Sequence, residues 1–178
     1  MKFAQLITDS GAKYICRPYA DGTGLEARYV MAQAAMLAGL SYGSESAGVA
    51  HAMSQSLDGI IPVAHGQCAA AMMGPVMEFN WKDTPEKFAR MALAFGIDTY
   101  QMSTEEAAKA ASWMYELVED LDVPNLADQG VPTDKKAIDR FADAAMGEPQ
   151  TAGNPRDIKL DDYKWMYKRC FNQNPKTV

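Results

Sequence analysis

An all-helical fold follows from three features of the sequence. Alanine fills 28 of the 178 positions, the alternating Val, Ile and Thr runs that half-buried strands need are nearly absent, and apolar residues recur at helical spacing between breaks marked by Gly and Pro. No repeat and no long linker divides the chain, so residues 1–178 read as a single helical domain.

The elements can be justified in order. Residues 1–15 form a helix or the tail of one, with Phe3, Leu6 and Ile7 on one side, ending at Arg17, Pro18 and the turn Asp21, Gly22, Thr23, Gly24. From Leu25 to Leu40 a long helix rich in Ala and Met is expected to be buried on more than one side, until Gly43 and Ser44 interrupt it. A second buried helix spans residues 46–57 and stops at Asp58 and Gly59. The run from Ile60 to Val63 contains Pro62 and is too short for a central strand. The next helix begins near His65 and runs toward Phe79, with Gly74 and Pro75 expected to kink or divide it.

Thr84 as N-cap and Pro85 at the first helical position open another helix, with Phe88, Met91, Ala92 and Phe95 on one face. Ser103 and Glu106 have capping-box spacing ahead of the stripe Ala107, Ala110, Met114, Leu117, Leu121. A helix over 133–146 turns Ile138, Phe141 and Ala145 inward. After a loop over 147–155, a last helix over 160–171 buries Tyr163, Met166, Tyr167 and Cys170.

Composition excludes several classes of function. A net charge of −6 with no basic run disfavours nucleic acid as a partner. The longest apolar stretch, Cys68 to Met77, is about half of the roughly 18 residues a membrane span needs, and the N-terminus lacks the apolar segment of a secretory signal. Cys16, Cys68 and Cys170 form no CxxC pair, so they read as packing thiols in a reducing, cytoplasmic setting.

Only two histidines are present, His51 within a helix and His65 at the start of the next. The sharp connection between them allows both imidazoles to converge on one metal, although two histidines on neighbouring helices are also a common structural arrangement, and a catalytic ion wants three or more protein ligands. Glu45 points to a different face from His51, a di-iron bundle would need Glu where Gly48 stands, and Asp58 beside Gly59 reads as a helix stop. Gly22, Thr23 and Gly24 follow no strand, so they read as a turn rather than a dinucleotide site. Ser44, Ser46 and Ser54 have no carboxylate-oriented histidine with which to form a hydrolytic triad.

The run from Gly48 through His51, Gln55 and Pro62 to His65 and Gly66 closely resembles the metal-ligand signature of iron-containing (group III) alcohol dehydrogenases. A second match, Thr151 through Asn154 and Pro155 to Arg156, followed by a helix carrying Asp161 and Asp162, resembles that family's C-terminal signature. The resemblance implies a two-domain enzyme, in which an α/β nucleotide-binding domain precedes the helical domain that this chain matches. It implies a divalent ion, Fe²⁺ or Zn²⁺, held by one aspartate and three histidines, with His51 and His65 as the last two. The other two ligands would precede this chain, together with the domain for NAD or NADP.

The implied reaction interconverts a small primary or secondary alcohol and its aldehyde or ketone, with the isolated chain expected to be inactive and a homo-oligomer expected. Gln55 stands where many members carry a proton-relaying histidine, and glutamine cannot shuttle a proton at neutral pH. Tyr42 matches a position near the nicotinamide in some members, and Gln150 precedes the loop that borders the substrate pocket. Each has a plainer alternative, Tyr42 as core and Gln150 as loop. The competing function is a non-catalytic helical module for oligomerisation or binding, derived from the same family.

Overall fold

The computed structural model describes residues 14–42, 47–95, 97, 102, 103, 106 and 109–171. Helices and two 3-10 turns make up its regular structure, with no strand among the described residues, as the alanine content and the missing alternation require. The helices are α1 (Cys16–Ala20), α2 (Leu25–Tyr42), α3 (Val49–Asp58), α4 (His65–Asn80), α5 (Pro85–Ala94), α6 (Lys109–Asp120), α7 (Lys135–Met146) and α8 (Leu160–Phe171). The chain divides into two compact units, residues 1–45 with 85–110, and residues 46–84 with 111–178.

In the first unit, α1 and α2 pack together across the turn at residues 21–24, where the Asp21 carboxylate accepts from the Thr23 amide at 2.9 Å and the Thr23 hydroxyl at 2.6 Å. The expected burial of α2 on several sides is not what the structure holds. Ala27 and Ala34 are buried, while Leu25, Tyr29, Met36 and Leu40 are exposed, Leu25 by 80% and Leu40 by 72%. Ala and Met supply helix propensity whether or not a partner covers them, so their density does not report burial. In α5, Phe88 and Ala92 are buried as their spacing predicts, and Met91 and, just past the helix end, Phe95 are half-buried. Cys16 is exposed, against its reading as a packing thiol. The expected helix before Tyr14 and the break at Gly43 and Ser44 lie outside the described residues.

The second unit is built on α3, α4, α7 and α8. Each of these helices touches two others: α3 packs on α4 and α7, and α8 packs on α4 and α7. The predicted inward residues of the last two helices are all buried: Ile138, Phe141 and Ala145 on α7, and Tyr163, Met166, Tyr167 and Cys170 on α8. Asp134 caps α7, its carboxylate accepting from the Lys136 and Ala137 amides. Tyr167 runs through the core to donate its hydroxyl to the Met53 carbonyl on α3 at 2.9 Å.

Pro75 neither stops nor divides α4, which continues from His65 to Asn80. Beside it, Gly74 provides room for a neighbour, because a Cβ there would lie 2.5 Å from the ring of Tyr115 on α6. Tyr115 donates to Glu78 at 2.9 Å, and Arg169 of α8 pairs with the same carboxylate oxygen at 2.9 Å. Ser103 and Glu106 make the predicted capping contact, the Ser103 amide donating to Glu106 Oε2 at 2.6 Å. Of the stripe behind it, Ala107 and Ala110 lie outside the described side chains and Met114, Leu117 and Leu121 are half-buried, while the buried residue there is Val118, which the stripe did not include.

A 3-10 turn, Pro149–Gly153, occupies part of the expected loop after α7. No described helix is long and apolar enough to cross a membrane.

Candidate metal centre

The site is assembled at the start of α3 and the start of α4. Gly48 opens α3 at φ +77, a left-handed conformation that favours glycine, and His51 follows in the first turn. At the other end, α3 closes through backbone bonds alone, with the Gly59 amide reaching the Gln55 carbonyl at 3.0 Å and the Ile61 amide reaching the Leu57 carbonyl at 2.8 Å. A tight turn follows, in which the Val63 amide reaches the Ile61 carbonyl at 2.9 Å, and the chain passes through an extended Ala64 into α4 at His65.

The two imidazoles meet. Their ring centroids are 5.5 Å apart with the planes tilted by 57°. Two imidazoles bound to one tetrahedral ion at about 2.0–2.1 Å would place their centroids about 5 Å apart, so the observed separation suits a shared divalent cation. Burial, followed by the neighbouring His65, holds the His51 imidazole below its ordinary pKa, which favours the neutral form that ligates metal. Among the described residues, no three His, Cys, Asp or Glu side chains form a group able to hold an ion. The donor set therefore fits a transition metal as an imidazole pair, half of the four ligands the resemblance implies.

Asp58, a helix stop by its place before Gly59, has a further task for its side chain in the structure. Its Oδ2 accepts a hydrogen bond from His65 Nδ1, while Oδ1 is buried with no hydrogen-bond partner among the described residues. One sequence signal was available: a carboxylate at a helix C-terminus opposes the macrodipole, so something other than helix formation has to favour it there.

Gln55 is half-buried one helical turn after His51, on the same face of α3. Gln150 Oε1 accepts from the Ala47 amide at 2.8 Å, tying the loop after α7 to the entry of α3. The backbone of Tyr42 ends α2 in the other unit, and its side chain lies outside the described residues.

The run from Thr151 to Arg156 acts as a brace. Thr151 Oγ1 joins the Ala145 carbonyl at 2.9 Å and the Tyr163 hydroxyl at 2.6 Å. Asn154 and Asn80 exchange reciprocal amide bonds of 2.7 and 3.0 Å, and Arg156 donates to the Phe79 carbonyl at 2.8 Å while stacking 4.0 Å over its ring. Together with Gln150 on Ala47, this segment grips the entry of α3 and the last turn of α4, the two helices that carry the histidines.

The comparisons agree with this architecture. The family model described as "Fe-containing alcohol dehydrogenase family, C-terminal" matches residues 4–171. The chain is 68% identical over its whole length to the Bacillus subtilis (strain 168) protein named choline dehydrogenase, and 31% identical over 96% of its length to the Klebsiella pneumoniae 1,3-propanediol dehydrogenase. It spans 46% of each of those relatives. Among solved structures, a 1,3-propanediol oxidoreductase superposes with a TM-score of 0.90 at 28% identity, covering 96% of this chain and 44% of that one. The alcohol dehydrogenase from Oenococcus oeni gives 0.88 at 27% identity, covering 95% and 44%. The chain belongs to the Fe-containing alcohol dehydrogenase family and corresponds to its C-terminal helical domain.

Proposed function

We propose that this chain is the metal-binding helical part of an NAD(P)-dependent alcohol dehydrogenase, with His51 and His65 as two ligands of one divalent ion. The observation that carries the reading is the convergence of the two imidazoles at 5.5 Å between ring centroids. A bound divalent ion supplies Lewis acidity, polarising a carbonyl or acidifying an alcohol while a hydride moves to or from NAD(P) at the same carbon. The residues of this chain set the conditions for that chemistry. His51 is kept neutral by burial, and α3 and α4 hold both rings in place before any ligand arrives. Gln55 hydrogen-bonds a substrate oxygen without relaying its proton, so proton transfer goes by another route. Gln150 braces the entry of α3 through Ala47, and the family resemblance makes Tyr42 the candidate nicotinamide contact.

The relative at 68% identity is named choline dehydrogenase, which makes choline the first alcohol to assay. The test places this chain behind the N-terminal part of the Bacillus subtilis relative. The folded chimera should reduce NAD(P)⁺ in a choline- and metal-dependent way, and His51→Ala should abolish that activity. A folded, metal-loaded chimera that oxidises neither choline nor a small diol would sink the proposal. The 178-residue chain alone should show no turnover.

The exposed row Leu25, Tyr29, Met36 and Leu40 favours a second reading, a non-catalytic oligomerisation module. Light scattering that finds an assembly dispersed by Met36→Glu, together with an inactive chimera, would favour that reading.

A further inference from the structure

We propose that Asp58 is a positioning residue for His65, holding the neutral imidazole with its proton on Nδ1 so that Nε2 presents its lone pair to the metal. The inference rests on the metal reading of the histidine pair and concerns a residue that the ligand set does not include.

Two independent observations support it. First, the hydrogen bond from His65 Nδ1 to Asp58 Oδ2 crosses the α3–α4 connection and joins the last residue of one helix to the first of the next. A carboxylate at Nδ1 determines which nitrogen of a neutral imidazole carries the proton, orients the ring and makes the opposite nitrogen a better ligand. Second, helix termination does not explain Asp58. The end of α3 is closed by the backbone bonds of Gly59, Ile60 and Ile61. The Asp58 side chain meanwhile leaves Oδ1 buried and unpartnered among the described residues, and its charge opposes the helix dipole. A side chain kept at such a cost, with one described partner, is explained by what it does for that partner.

The geometry singles out His65 as the ring that Asp58 acts on, since the hydrogen bond is made to its Nδ1.

The test uses the ¹⁵N-labelled 178-residue chain. Long-range ¹H–¹⁵N spectra at mildly alkaline pH, without metal, report the tautomer of each histidine, and a Zn²⁺ titration reports affinity. In the wild type, His65 should carry its proton on Nδ1. In Asp58→Ala that preference should be lost, and Zn²⁺ affinity should fall by about 10- to 100-fold. A wild-type His65 protonated on Nε2 would overturn the proposal without any variant having to fold. A folded Asp58→Ala chain that binds Zn²⁺ as tightly as the wild type would also overturn it, while leaving the metal reading intact. If the wild-type chain binds no Zn²⁺ that His51→Ala removes, the metal reading fails, and with it the proposed role of Asp58.

Discussion

Helices α2 and α4 are similar in composition and opposite in circumstance. Both are long, rich in Ala and Met, and contain an internal glycine, Gly39 in α2 and Gly74 in α4. Helix α4 lies against α3 and α8 and buries Cys68, Met72, Val76 and Phe79, whereas α2 packs on the five-residue α1 and leaves four large apolar side chains exposed. Burial is a property of the neighbours as much as of the sequence. The two glycines make the same point at atomic scale: an added Cβ meets the Tyr115 ring at 2.5 Å at Gly74 and meets nothing within 4 Å at Gly39.

The comparison can be broken most decisively by truncating a core aromatic. Tyr167→Ala removes a fully buried ring and its bond to Met53, and should cost about 3–5 kcal/mol in urea unfolding. Leu40→Ala on α2 should stay within about 0.5 kcal/mol of the wild type, and a comparable loss there would mean that α2 is covered in solution. Next in size, Gly74→Ala forces the Tyr115 ring aside and should lose about 1–2 kcal/mol, since overpacking outweighs the gain in helix propensity. Gly39→Ala should instead gain about 0.5–1 kcal/mol. If both substitutions shifted the melting temperature the same way, the contrast between the helices would fail.

A separate contrast, read against pH, concerns the thiols. Burial, and after it the Asp58 carboxylate, pushes the Cys68 thiol up to about 11, above its ordinary value of 9.0. A thiol whose folded pKa is raised lends stability that is complete below its unfolded pKa and is lost as pH climbs through the folded one. Stability should therefore decline between pH 9 and about 11, and less steeply in Cys68→Ala. At pH 7.5, iodoacetamide should label Cys16 in the folded chain and reach Cys68 and Cys170 only through unfolding, with mass spectrometry locating the adducts.

These contrasts show which features could be read from the residues. The inward faces of α7 and α8 were legible because each is amphipathic, and a stripe such as Tyr163, Met166, Tyr167 and Cys170 leaves one way to pack. Helix α2 carries apolar residues around its circumference, so its pattern indicates no face, and its exposure depends on partners that periodicity does not encode. At the site, the meeting of His51 and His65 was anticipated from a short, sharp connection. The bond between Asp58 and His65 was not, because a seven-residue separation across non-helical chain implies no fixed geometry. The brace was legible as a signature and not as a device, since Asn154 and Asn80 are 74 positions apart and only the fold makes their amides reciprocal.

That brace has a consequence for genetics. The two helices that carry the imidazoles are tied to a loop that supplies neither of them, through Gln150 on Ala47 and through Asn154 and Arg156 on the last turn of α4. On the metal reading proposed above, a screen for variants that no longer bind Zn²⁺ should return hits between residues 150 and 156 alongside those at 51 and 65. Such hits would pass for missing ligands, when the residues altered belong to the frame around the two histidines.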